Sequence, residues 1–219
     1  MPLRKSHLPR AAAAIAVAAA AFTVPSSASA ASIGLSTSSS SSTLNCAAQA
    51  LSQPLLKFGD TASYWLAPGG DFETKAAGWK LSNAAVVSGN ETLGVLPGGS
   101  ALKLGTSIGT ASATTPDFCV DPLHPNFRFL VKTNSLTAVV NTKINFKGPL
   151  GVTLTVPAKL NTMGNGNWTL SQSQPLATAI PNIFLNGGIT ASITFSSAVS
   201  SLGGYVTIDD LLIDPYRRG

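Results

Sequence analysis

Charged side chains are scarce in this sequence. Asp, Glu, Lys and Arg make up 11% of its 219 residues, against about a quarter in an ordinary globular protein, so Ser, Thr, Asn and Gly must form much of the surface. Acidic residues are missing altogether before Asp60, while Arg4, Lys5 and Arg10 crowd the first ten positions. The remainder holds eleven basic and nine acidic residues. A net charge of about +2 is too small for nucleic-acid binding through a basic patch, and no nucleic-acid partner is expected. Histidine is nearly absent too. After His7 in the leader only His124 remains, between Leu123 and Pro125, and a zinc site needs three or four clustered ligands.

Long apolar runs are also lacking. The longest, Ala11 to Val24, has 14 residues, too few for a hydrocarbon core that needs about 20. With the basic residues before it, Pro25 after it and the small residues Ala28-Ser29-Ala30, it reads as a secretory signal peptide. Residues 1–30 are therefore the expected leader. Residues 31–45, almost pure Ser from Ser36 to Thr43, are an expected flexible linker. Residues 46–219 are the expected folded domain. A secreted, monomeric protein without a membrane span is the expectation.

The second half alternates with period two. Leu136, Ala138, Val140, Thr142, Ile144 and Phe146 interleave with polar positions. Leu150, Val152, Leu154 and Val156 repeat the pattern, as do Ile189, Ala191, Ile193 and Phe195, and Phe127, Phe129 and Val131 make a further strand. Each such segment has one buried and one wet face. Pro97-Gly98-Gly99, Gly164 to Asn167, Gly187-Gly188 and Gly203-Gly204 supply turns. No sustained three-four spacing follows the leader. An all-β antiparallel β-sandwich, a jelly roll, suits this pattern and length.

Cys46 and Cys119 are the only cysteines. In an exported chain they pair or stand as two separate thiols. A bridge would close a loop of 73 residues, worth roughly 4 kcal/mol by chain entropy. Gly105-Thr106-Ser107-Ile108-Gly109 matches a G-x-S-x-G elbow, followed by Asp117, Asp121 and His124. A working elbow needs a strand-to-helix turn and partners from distant loops, so a Gly- and Ser-rich turn is the plainer reading. Glycoside hydrolysis needs two carboxylates set across a cleft; the two Glu and seven Asp could supply a pair, but no E-x-D-x-E arrangement occurs. The chain is not expected to be an enzyme.

Five short motifs occur in order: Gly70-Asp71-Phe72-Glu73, Gly78-Trp79, Gly98 to Leu104, Trp168-Thr169 and Ile208-Asp209-Asp210-Leu211. Together they resemble the galactose-binding-like jelly roll of carbohydrate-binding modules. The stretch from Cys46 to Tyr216 is also similar to secreted single-domain proteins of actinobacteria, through Tyr64 to Glu73, Val86 to Glu91, Cys119-Val120 and Ile208 to Pro215. The resemblance implies a non-catalytic module contacting extracellular polysaccharide or cell-envelope glycan. The alternative is a structural or protein-interaction sandwich of the cell surface, and a hydrolase is weaker again.

The resemblance further implies a structural Ca2+ held by Glu73, by Asp209 or Asp210, and by backbone oxygens from Gly99 to Ala101, with Ser100 at the centre. Alternation would point the two Asp side chains to opposite faces, and Asp209 is favoured. For a glycan platform, Tyr64, Trp65 and Tyr205 are the candidate exposed rings. Trp79 and Trp168 lie inside core motifs and read as packing residues.

Overall fold

The computed structural model describes residues 49–120, 126–135, 138–147, 153–160, 166–176, 189–199 and 204–214. All belong to one unit, Ser41–Gly219. The leader, the linker, Cys46, Asp121 and His124 lie outside the described residues. Among the described residues no helix is long and apolar enough to cross a membrane.

Among the described residues thirteen strands form two antiparallel sheets. They are β1 (Trp65–Leu66), β2 (Lys80–Ser82), β3 (Ala84–Ser88), β4 (Ser100–Leu104), β5 (Gly109–Thr114), β6 (Phe118–Val120), β7 (Asn126–Thr133), β8 (Val140–Lys147), β9 (Thr153–Leu160), β10 (Thr169–Leu170), β11 (Gln174–Pro175), β12 (Ile189–Val199) and β13 (Val206–Asp214). The seven-stranded sheet runs β10-β7-β13-β4-β3, with β1 added to β13 and β11 to β7. The six-stranded sheet runs β2-β5-β12-β8-β9, with β6 added to β12. The last two strands in sequence, β12 and β13, are thus central in their sheets.

Alternation explains the six-stranded sheet. Val140, Thr142, Ile144 and Phe146 of β8 are buried, while Asn141, Lys143 and Lys147 are exposed. Ile189, Ala191, Ile193 and Phe195 of β12 face the same core. Opposite them, Phe127, Phe129 and Val131 of β7 and Val206 and Ile208 of β13 complete it. The Phe195 ring meets Phe129 edge-on at 5.0 Å and stacks near Trp79 at 6.3 Å. Trp79 is a packing residue, as expected, and its indole N–H donates to the Pro68 carbonyl at 2.9 Å.

The seven-stranded sheet breaks the half-wet rule, because every residue of β13 is buried. A second apolar cluster covers part of its outer face. Leu55, Tyr64 and Val95 pack there on Ala101, Leu130, Trp168 and Leu212. The cover is the segment from Ser52 to Leu66, which carries a short 3-10 turn at Leu56–Phe58 and an isolated bridge between Ser52 and Tyr64. Loop residues Leu93, Val95 and Leu96 close it. Such a second layer lets one sheet bury both faces. Where β13 passes beneath, its pairing with β7 shifts register between Asp209 and Leu212. Asp210 takes φ +44° there, a left-handed conformation that Asp tolerates better than most residues.

Candidate functional site

The expected glycan platform does not form. Tyr64 and Trp65 are 0% and 2% exposed and cannot present a ring to a ligand. Tyr64 lies under the covering segment, its hydroxyl donating to Asp60 Oδ2 at 2.6 Å. Trp65 points into the main core, where its ring meets Phe118 edge-on at 5.6 Å. Neighbouring strand positions alternate, so the pair fills one apolar cluster on each side of the sheet. Only Tyr205 stays half-buried, at the uncovered end of the seven-stranded sheet.

That end holds a groove of about 240 Å³, lined by Ser88, Gly89, Asn90, Lys103, Lys132, Trp168, Tyr205 and Thr207 among others. Its floor is a cross-strand row. Lys103 of β4 and Lys132 of β7 each pair with Thr207 of β13, so the two lysines flank it on one face. The Lys103 ammonium sits 4.1 Å from the Tyr205 ring centroid, and that of Lys132 5.0 Å from Trp168. Ring quadrupoles hold both cations. At one wall Asn90 donates to the Leu96 carbonyl at 3.1 Å. Trp168 is a packing residue by burial, yet one side of it borders this groove. Nothing in the sequence marked Lys103, Lys132, Asn90 and Thr207 as one site, although Lys103 and Asn90 lie inside two of the motifs, because only strand pairing and the fold place them together. The volume lies below the roughly 300 Å³ at which drug-sized ligand pockets begin.

Deeper under the loop lies a set of buried acids. Asp209 Oδ2 accepts the Glu91 N–H at 3.0 Å, and its Oδ1 accepts the Asp210 N–H at 2.9 Å. Asp210 Oδ2 accepts the Leu96 N–H at 3.1 Å. Both side chains therefore reach the one loop. The expectation of opposite faces fails because the register shift at Asp210 interrupts alternation. Glu91, which ends the Val86 to Glu91 motif, is buried and accepts the Gly94 N–H at 2.8 Å and the Val95 N–H. Burial, followed by the charge of Asp210, pushes Asp209 up to about 8. Burial, followed by the charge of Glu91, pushes Asp210 up to about 7, with Asp71 and Glu73 adding to it.

The expected calcium ligands are partly brought together. Glu73 does reach the turn at Ser100, but Oε1 accepts the N–H groups of Gly99 and Ser100 at 2.7 and 2.8 Å. The turn therefore shows Glu73 its N–H groups rather than carbonyl oxygens. Both Asp209 oxygens are engaged by backbone N–H groups, whereas Glu73 and Asp210 each accept through one oxygen only. Asp210 is thus better placed than Asp209 to serve a cation. Among the described residues no three His, Cys, Asp or Glu side chains gather as a metal group.

The G-x-S-x-G segment joins β4 to β5, strand to strand, without the helix an elbow requires. Ser107 Oγ donates to Asn83 Oδ1 at 2.8 Å. Asp117 pairs with Lys147. Cys119, on β6, is not a free thiol, but its expected partner Cys46 lies outside the described residues.

No family model and no curated protein matches the chain. Solved structures do. The enzymatically active domain of bacteriophage CBA120 tailspike protein 4 is similar at 15% identity and TM-score 0.50, over 68% of this chain and 21% of that one. The chain thus spans about a fifth of that relative's length. The carbohydrate-binding module TmCBM61, solved in complex with β-1,4-galactotriose, matches at 17% identity and TM-score 0.43, over 70% of this chain and 98% of that one. A Stig cyclase of Fischerella sp. TAU matches at 12% and 0.44, over 72% and 100%. At these identities the likeness is one of fold alone, a jelly-roll β-sandwich of two antiparallel sheets.

Proposed function

We propose that the chain is a secreted, monomeric, non-catalytic binding module that contacts extracellular polysaccharide or cell-envelope glycan. The groove on the seven-stranded sheet carries this reading: rings of Tyr205 and Trp168, the Thr207 hydroxyl, the Asn90 amide and two lysines converge there. Ring faces with convergent polar groups beside them fit a small-ligand site. The purified secreted chain should be retarded in gels containing at least one polysaccharide, and Tyr205→Ala should weaken that retention about tenfold. A folded chain that bound nothing across a broad glycan array would end the reading.

A second reading, a surface scaffold for protein contacts, is favoured by the other sheet. Its outer face bears Thr114, Thr194, Asn145 and Thr155 in one hydrogen-bonded row, with contacts of 2.9 to 3.1 Å. No aromatic ring stands on that face among the described residues.

The calcium expectation belongs to this proposal as a structural element. Glu73 and Asp210 offer the hard oxygen donors calcium prefers, and a dication would offset the burial and the lesser repulsion that raise the Asp210 carboxyl. Free calcium at about a hundred times its dissociation constant adds roughly 2.7 kcal/mol, or a melting rise of roughly 5 to 11 °C. Melting should fall in chelator, recover with calcium but not magnesium, and lose that response in Glu73→Gln. Superimposable melts in calcium and in chelator would remove the ion from the account. The Cys46–Cys119 bridge is likewise proposed.

A further inference from the structure

Resting on the glycan reading above, we infer that the groove selects an anionic saccharide, one whose ring carries a carboxylate or a sulfate ester. A neutral-sugar platform works through open ring faces. Here each ring already carries an ammonium, Lys103 on Tyr205 at 4.1 Å and Lys132 on Trp168 at 5.0 Å. What the groove turns toward a ligand is therefore positive charge.

The lysines are fixed at both ends of the side chain. Their backbones pair with Thr207 from opposite sides, which sets the two roots roughly 10 Å apart across three strands. Their heads rest on rings that are themselves buried or half-buried. Two lysines rooted on one face, either side of a single strand, normally attract a carboxylate. Yet neither lysine forms an ion pair among the described residues; the ion pairs there are Arg128 with Asp214 and Lys147 with Asp117. Among the described residues no acidic side chain lines the groove. An anionic group entering between the lysines would meet two ammonium donors, with the Thr207 and Ser88 hydroxyls beside them. Charge-assisted bonds of this kind are roughly twice as strong as neutral ones.

The pair also separates a site from a general charge effect. Net charge outside the leader is small, so a polyanion drawn by charge alone would be drawn by any exposed lysine. Lys143, exposed on the six-stranded sheet, is the control.

Binding of the secreted chain to polygalacturonate, dextran sulfate, neutral galactan and a DNA duplex, at about 0.15 M salt, tests the inference. At least one acidic polysaccharide should bind tenfold or more tightly than galactan, and which one it is separates carboxylate from sulfate. Lys103→Ala and Lys132→Ala should each cost about tenfold in that affinity, and Lys143→Ala nothing. Should either alanine variant fail to fold by circular dichroism, Lys103→Gln and Lys132→Gln replace them. Galactan bound as tightly as the acidic chains would overturn the charge inference and leave the glycan reading standing. No binding to any polysaccharide would overturn both. Equal loss in Lys143→Ala, or DNA bound as tightly as the acidic polysaccharide, would show undirected polyanion attraction and overturn the site.

Discussion

In chelator, the folded chain should lose stability as pH rises from about 5 to about 8, the reverse of ordinary acid unfolding. Asp209 and Asp210 are both buried, and their carboxyls sit at about 8 and about 7, raised chiefly by that burial. In the unfolded chain both ionise near pH 4. Between those values the folded state holds protons that the unfolded state has released, so stability falls with each unit of pH. The slope is about 1.4 kcal/mol per pH unit for each carboxyl. From pH 5 to pH 7 the pair together removes on the order of 5 kcal/mol, a large part of a typical domain's stability. The contribution is fully present below the unfolded-state values and gone above pH 8. Denaturant unfolding across this range measures it directly. Asp209→Asn, which cannot ionise, should halve the slope whatever its cost at pH 5. A flat or rising profile in chelator would mean that these acids ionise freely in the fold.

Truncating Phe195 should cost about 3 to 5 kcal/mol, as for other buried aromatics cut to Ala. Its ring joins the layers, touching Phe129 of the opposite sheet at 5.0 Å. It is 0% exposed and belongs to the main core cluster. At roughly 2 to 4 °C per kcal/mol for a domain of this size, melting should drop by roughly 6 to 20 °C. Phe195→Leu, which keeps most of the volume, should lose less than half as much. The groove lies on the far face of the seven-stranded sheet, so glycan affinity of the folded fraction should not change. A loss below about 1 kcal/mol would show that the two layers do not close over this ring.

Legibility in the sequence followed burial. The strand spanning Val140–Lys147 and the start of Ile189–Val199 were readable, because one face is wet and polar residues mark it. The N-terminal cover was not. Tyr64 and Trp65 look alike in sequence, and nothing local tells that one fills the outer cluster and the other the inner core. β13 was readable as a motif but not as geometry: a strand buried on both faces gives no alternation, and a single left-handed residue at Asp210 swings both acids to the same loop. Lys103 and Lys132 stand 29 positions apart in sequence. They become neighbours only because Thr207, from much later in the chain, is inserted between their strands.

The central places of β12 and β13 bear on when folding can happen. Neither sheet has its middle until the final segments Ile189–Val199 and Val206–Asp214 are available. Before then β5 and β8 lack the strand that joins them, as do β4 and β7. A chain emerging from the ribosome therefore cannot close either sheet before β12 and β13 are made, and closure then depends on pairings of long sequence separation, which fold in milliseconds to seconds rather than microseconds. Delayed closure keeps the earlier strands extended and unpaired across each sheet's middle until β12 and β13 are made. It also makes loss of the last strand a loss of the seven-stranded sheet itself, not of an edge.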